Sequence, residues 1–84
     1  MTMLFKMIQA DIDGATTLGG CDCPVARTIK RRFPNYYVRV GPRHTAVEGD
    51  VYDLPIRVKR FVDKFDRDGE KAVSPINFRL PIEE

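Results

Sequence analysis

Four groups of residues in this chain have the types and spacing to do chemistry. The first is Cys21-x-Cys23, the only thiols present. They stand at the start of a helix, where the helix dipole favours thiolate, which suits mild redox sensitivity or adventitious metal binding. A structural zinc wants four ligands, usually in two spaced pairs. Besides the thiols the chain offers one histidine, His44, so such a zinc would have to be shared across a dimer. The plainer reading puts one sulfur in the core and lets the other shape the turn, because free cysteine is among the most buried residue types. The second group, Asp66-x-Asp68-Gly69, has the form of the middle of a calcium loop. The flanking ligand positions of such a loop fall on Lys64 and Pro75, which cannot serve, so a helix C-terminal turn accounts for it better. The third is His44 alone, with no Ser or Cys in a nucleophile motif; it reads as a strand-edge residue. Gly14 and Gly19-Gly20 are too far apart for a phosphate loop and lack its Lys-Ser/Thr. No catalytic residue, metal ligand set or cofactor motif emerges.

The fourth group is the most informative. Residues 27–64 hold ten Lys/Arg against four acids, a local charge of +6 within a chain of net +2, and both ends are acidic. Arg27, Lys30, Arg31, Arg32, Arg57, Lys59, Arg60 and Lys64 take the non-core positions of two helices. If both helices lie on one side of a sheet, these residues merge into a patch suited to phosphates or an acidic protein surface. The competing reading is a pair of solvated helix faces, compensated locally by Asp53, Asp63 and Asp66.

The elements that position these residues are legible in the hydrophobic periodicity. Pro24 suits the first position of a helix, and Val25, Ala26, Ile29 and Phe33 then share one face. Leu54, Val58, Phe61, Val62 and Phe65 form a second amphipathic stripe after Pro55. Met3 to Ile8 reads as a strand, and Ala10 to Asp13 as a brief helical turn that Gly14 ends. Residues 14–20 read as a flexible loop, and 36–53 as a meander of short antiparallel strands with a turn at Gly49-Asp50. Alternation places Tyr36 and Tyr37 on opposite faces, one in the core and one outside. Ile76, Phe78 and Leu80 alternate as a last strand that closes the sheet. The expected fold is therefore α+β: one domain over residues 1–84, with a three- to four-stranded, mostly antiparallel sheet and two amphipathic helices packed against it. An apolar fraction of 43% over 84 residues fits a small globular chain. No apolar run approaches the ~20 residues that span a bilayer, and no signal peptide is evident at the start, so a cytoplasmic protein without a membrane partner is expected.

In order along the chain come Asp11-Ile12-x-Gly14, Cys23-Pro24-Val25-Ala26, Phe33-Pro34, Tyr52-x-Leu54-Pro55, Val58-x-x-Phe61-Val62-x-x-Phe65-Asp66, and Pro75 with Phe78-x-Leu80. Together they resemble a family of short, uncharacterised bacteriophage and actinobacterial proteins. The resemblance implies a compact α+β unit of phage or prophage origin and carries no established activity. With small size and absent catalytic groups, it leads to the expectation of a non-enzymatic accessory protein. Its partner would be a host protein complex, as for an anti-CRISPR-like inhibitor of a bacterial defence system. Two alternatives stand beside it: a small nucleic-acid-binding module using the basic helix faces, and a protein that sequesters an anionic nucleotide with arginines converging at an oligomer interface. No cofactor is expected, and the sequence admits a dimer without requiring one.

Overall fold

The computed structural model describes residues 2–82. The chain begins with strand β1 (Met3–Lys6) and a single helical turn, α1 (Gln9–Ile12). Helix α2 (Pro24–Arg32) follows, then strands β2 (Val38–Val40), β3 (His44–Val47) and β4 (Asp50–Asp53). Helix α3 (Ile56–Asp68), one 3-10 turn and strand β5 (Asn77–Leu80) complete it. Both long helices lie where the periodicity placed them. Val25, Ala26 and Ile29 of α2 and Val58, Phe61, Val62 and Phe65 of α3 are buried in one core cluster with Phe5, Val38, Phe78 and Leu80.

The α+β class holds, but the strands divide between two antiparallel sheets. The expectation of one sheet closed by the last strand is corrected here. β5 pairs with β1, Phe5 opposite Phe78 and Lys6 opposite Asn77. The meander β2-β3-β4 stands apart. The reason lies at the outer edge of β2, where the Val40 N–H donates to the Gly20 carbonyl at 2.7 Å. The loop before α2 thus occupies the edge at which a further strand would have joined. A Cβ at Gly20 would stand 3.2 Å from the Val40 carbonyl oxygen, so that close approach depends on glycine.

The turn between β3 and β4 falls on Glu48-Gly49, one residue earlier than the sequence suggested. Val47 pairs with Asp50, and Glu48 and Gly49 have φ of 52° and 85°. Two left-handed residues make the primed turn whose twist matches the strands. Glu48 tolerates the conformation while its carboxylate accepts the Tyr37 N–H at 2.5 Å. Nothing lies within 4 Å of a Cβ built on Gly49. Gly49→Ala should therefore cost about 1 kcal/mol, from backbone strain alone, read as a lower urea midpoint with an unchanged slope.

Aromatic contacts join the two sheets' surroundings. Phe5 stacks on Phe78 with centroids 5.4 Å apart and meets Phe33 edge-on at 6.3 Å, and Phe33 stacks on Tyr36 at 4.7 Å. One ring on β1 is thereby tied to β5 and to the C-terminal end of α2.

Candidate anion-binding surface

The two basic helices put their cations to different uses. On α2, Arg27 donates from Nε to Asp22 at 2.9 Å and from Nη1 and Nη2 to the Asp13 and Gly14 carbonyls at 2.8 and 3.2 Å. Its guanidinium therefore fastens the start of the glycine-rich loop to the helix. The same contact, with the Thr16 hydroxyl, holds the Asp22 carboxyl below its ordinary range. Lys30 Nζ donates to the Cys21 carbonyl at 3.0 Å. Arg31 grips the Asp11 carboxylate with Nε at 3.3 Å and Nη2 at 2.9 Å, and Nη2 also reaches the Lys6 carbonyl.

Asp11 is the hub of this arrangement and is almost fully buried. Besides Arg31 it accepts the Ile8 N–H at 3.0 Å, which caps α1, and the Thr28 hydroxyl at 3.1 Å. Burial alone would raise its pKa, but the hydrogen bonds from Arg31, Ile8 and Thr28 together with the Arg31 charge outweigh that and hold it below the ordinary value. These cations compensate acids that lie upstream in the chain, not the Asp53, Asp63 and Asp66 that sequence proximity suggested. Asp53 instead meets His44 Nε2 at 2.9 Å on an exposed strand edge. Asp63 and Asp68 hold Arg67 at 3.3 Å.

On α3 the situation is reversed. Arg57, Arg60 and Lys64 are exposed and make no ion pair among the described residues. Their spacing of three and four residues places them on one flank of the helix, over about 10.5 Å at 1.5 Å per residue. Lys59, also without an ion pair, lies on another flank and is half-buried. Arg57 Nη1 reaches the Asn77 carbonyl of β5 at 3.4 Å, which joins the flank to the β1-β5 ribbon. The ribbon's outward face carries Lys6 and Arg79, both exposed, because Phe5, Phe78 and Leu80 turn inward. Sequence reasoning passed over these two cations, since nothing local shows that the two ends of the chain pair.

The two helices' cations do not merge. Met7 N–H donates to the Ile76 carbonyl, so Lys6 and Asn77 form a non-hydrogen-bonded pair whose carbonyls point away from each other. Arg31, on Lys6, and Arg57, on Asn77, therefore stand at opposite edges of the ribbon. Arg32 is exposed on the α2 side. Of the eight cations singled out in the sequence, Arg57, Arg60 and Lys64 share one flank of α3, and Arg57 reaches the β5 edge of the ribbon whose outward face carries Lys6 and Arg79.

The thiols separate in the same way. Cys23 is buried and forms the N-cap of α2, its Sγ accepting the Ala26 N–H at 3.4 Å. Cys21 is exposed, with Sγ 3.8 Å from the Tyr37 hydroxyl. Burial pushes the Cys23 thiol up, so desolvation outweighs the helix-terminus field that the sequence suggested would favour thiolate. Cys23→Ala should cost about 1 kcal/mol through loss of the cap, visible as a lower melting temperature. Among the described residues no group of three or more His, Cys, Asp or Glu side chains is placed to hold a metal ion, and no helix is long and apolar enough to cross a membrane. Comparison with protein-family models, curated proteins and solved structures returns no match.

Proposed function

We propose that this chain is a non-catalytic binding protein whose α3-β5 face engages a phosphate backbone. The observation that supports it is the contrast between the helices: Arg27 and Arg31 of α2 are engaged by carboxylates of their own chain, whereas Arg57, Arg60 and Lys64 are aligned and have none. A cation already held by a carboxylate has little to gain from an external anion. Unpaired cations in a row gain from each phosphate they meet, with release of its counterion. Four contacts, from these three and Arg79, give an expected slope of roughly −3 to −4 for log Kobs against log salt at about 0.9 per phosphate.

A fluorescein-labelled DNA duplex titrated with the protein across a salt series measures that slope by anisotropy. Binding that vanishes only at high salt, or is absent at low salt, would sink the reading. An affinity pull-down from bacterial lysate with and without nuclease separates this from the other occupants of the same face. A nuclease-resistant host complex would favour the defence-inhibitor role expected from small size, absent catalytic groups and the phage-type resemblance. A mononucleotide that alone raises the melting temperature would favour sequestration.

A further inference from the structure

A cleft lies on the other flank of α3, between the helix, the end of β2 and the glycine-rich loop. It has a volume of about 110 Å³, and its walls include Leu18, Gly20, Val40, Pro42 and Val62, with Asp66 as its one charged group. Asp66 takes part in no ion pair among the described residues: its Oδ1 accepts the Leu18 N–H at 2.8 Å, and the neighbouring Arg67 is turned to Asp63 and Asp68. Leu18 is 82% exposed and held with φ of 57° by that hydrogen bond, leaving an apolar rim beside an uncompensated carboxylate. Nothing in the polyanion surface uses these residues.

We propose that this cleft receives a lysine side chain from a partner protein. Apolar walls leading to a single carboxylate suit an aliphatic stem that ends in a charge. Size agrees: a cavity of about 150 Å³ holds the six heavy atoms of benzene, so 110 Å³ suits the five heavy atoms of a lysine side chain. Arginine fits less well. Its larger, planar fork seeks both oxygens of a carboxylate, and one oxygen of Asp66 already accepts the Leu18 amide. An ammonium, a compact point charge with rotatable donors, needs only the other. The buried thiol of Cys23, also at the wall, stays protonated and adds no second anion.

The test is a ¹⁵N NMR titration of the whole chain with two capped tripeptides, acetyl-Gly-Lys-Gly-amide and its norleucine counterpart, which lacks the ammonium. The lysine peptide should give saturable shifts centred on the Leu18, Gly19 and Gly20 amides. The norleucine peptide should bind about tenfold or more weakly, as expected for loss of a charge-assisted hydrogen bond. Asp66→Asn keeps an oxygen to accept the Leu18 N–H and removes the charge, so it should bind both peptides equally weakly. Equal responses of the unaltered protein to the two peptides would overturn the proposal. So would lysine-specific shifts that survive Asp66→Asn, or no saturable shift at the cleft. Should Asp66→Asn fail to fold, the comparison of the two peptides on the unaltered protein decides alone. A failed DNA titration would leave this result untouched, since Asp66 and Arg60 lie on different flanks.

Discussion

Phe5→Ala is expected to cost about 3–5 kcal/mol, the range for deleting a fully buried aromatic ring. Domain stabilities are about 5–15 kcal/mol, and an 84-residue chain buries less of its surface than a larger one, so the variant should lose a large share of its stability. Phe5 is 2% exposed and contributes more than area. Its stacking on Phe78 and its edge contact with Phe33 hold the two chain ends together and seat the end of α2. A two-stranded ribbon is only marginally stable alone, so losing the ring should release β1 and β5 together. Phe5→Leu, which keeps most of the volume, should lose much less. Urea unfolding followed by circular dichroism measures both. A loss below about 1 kcal/mol for Phe5→Ala would mean that the ribbon does not depend on its aromatic cluster.

The second large effect is expected at Asp11. Asp11→Ala removes the acceptor for the Ile8 N–H and leaves Arg31 without its counter-charge, while the Thr28 hydroxyl keeps the Pro24 carbonyl at 2.7 Å. Arg31 is half exposed, so the ion pair itself contributes modestly. Most of the loss comes from the half-buried Ile8 N–H left without its cap, about 1–3 kcal/mol in all. The pH dependence has a definite sign. The carboxyl's pKa is lowered in the folded protein from an ordinary value of 3.8. Its contribution is therefore fully present above that value and is lost as pH falls through the folded pKa. The unaltered protein should lose stability on acidification below about pH 4, and Asp11→Ala should lack that part of the loss. Melting temperatures between neutral and strongly acidic pH, recorded for both, give the comparison.

The sequence disclosed the helices because their stripes are strong: every member of the Leu54, Val58, Phe61, Val62 and Phe65 series is buried. The strand pairing was less legible. Alternation at Ile76, Phe78 and Leu80 defines a strand but not its neighbour, and the edge-covering role of Gly20 requires a long-range hydrogen bond that no local pattern encodes. The β3-β4 turn was displaced by one residue because glutamate at positive φ is not a turn signal, whereas Gly-Asp is. The basic site was half legible. Helical spacing correctly put all eight cations off the core stripes, yet it cannot tell a solvated arginine from one that clamps a loop. The partners of Arg27 and Arg31 are Asp22, in the turn before α2, and Asp11, in α1, which the fold brings to α2. Lys6 and Arg79 share the ribbon's outward face only through β1-β5 pairing. The cleft at Asp66 was invisible in the sequence, because its walls come from three separated segments.

One paired experiment tests the division of labour between the helices. Arg60→Glu/Lys64→Glu and Arg27→Ala/Arg31→Ala are each assayed for melting temperature and for binding to the labelled duplex at low salt. The α3 variant should melt close to the unaltered protein and bind at least about tenfold more weakly, since two phosphate contacts become repulsive. The α2 variant should melt several degrees lower while its folded fraction binds nearly as well. Retained binding by the α3 variant, or lost binding by a well-folded α2 variant, would show that the helices do not divide the work in this way.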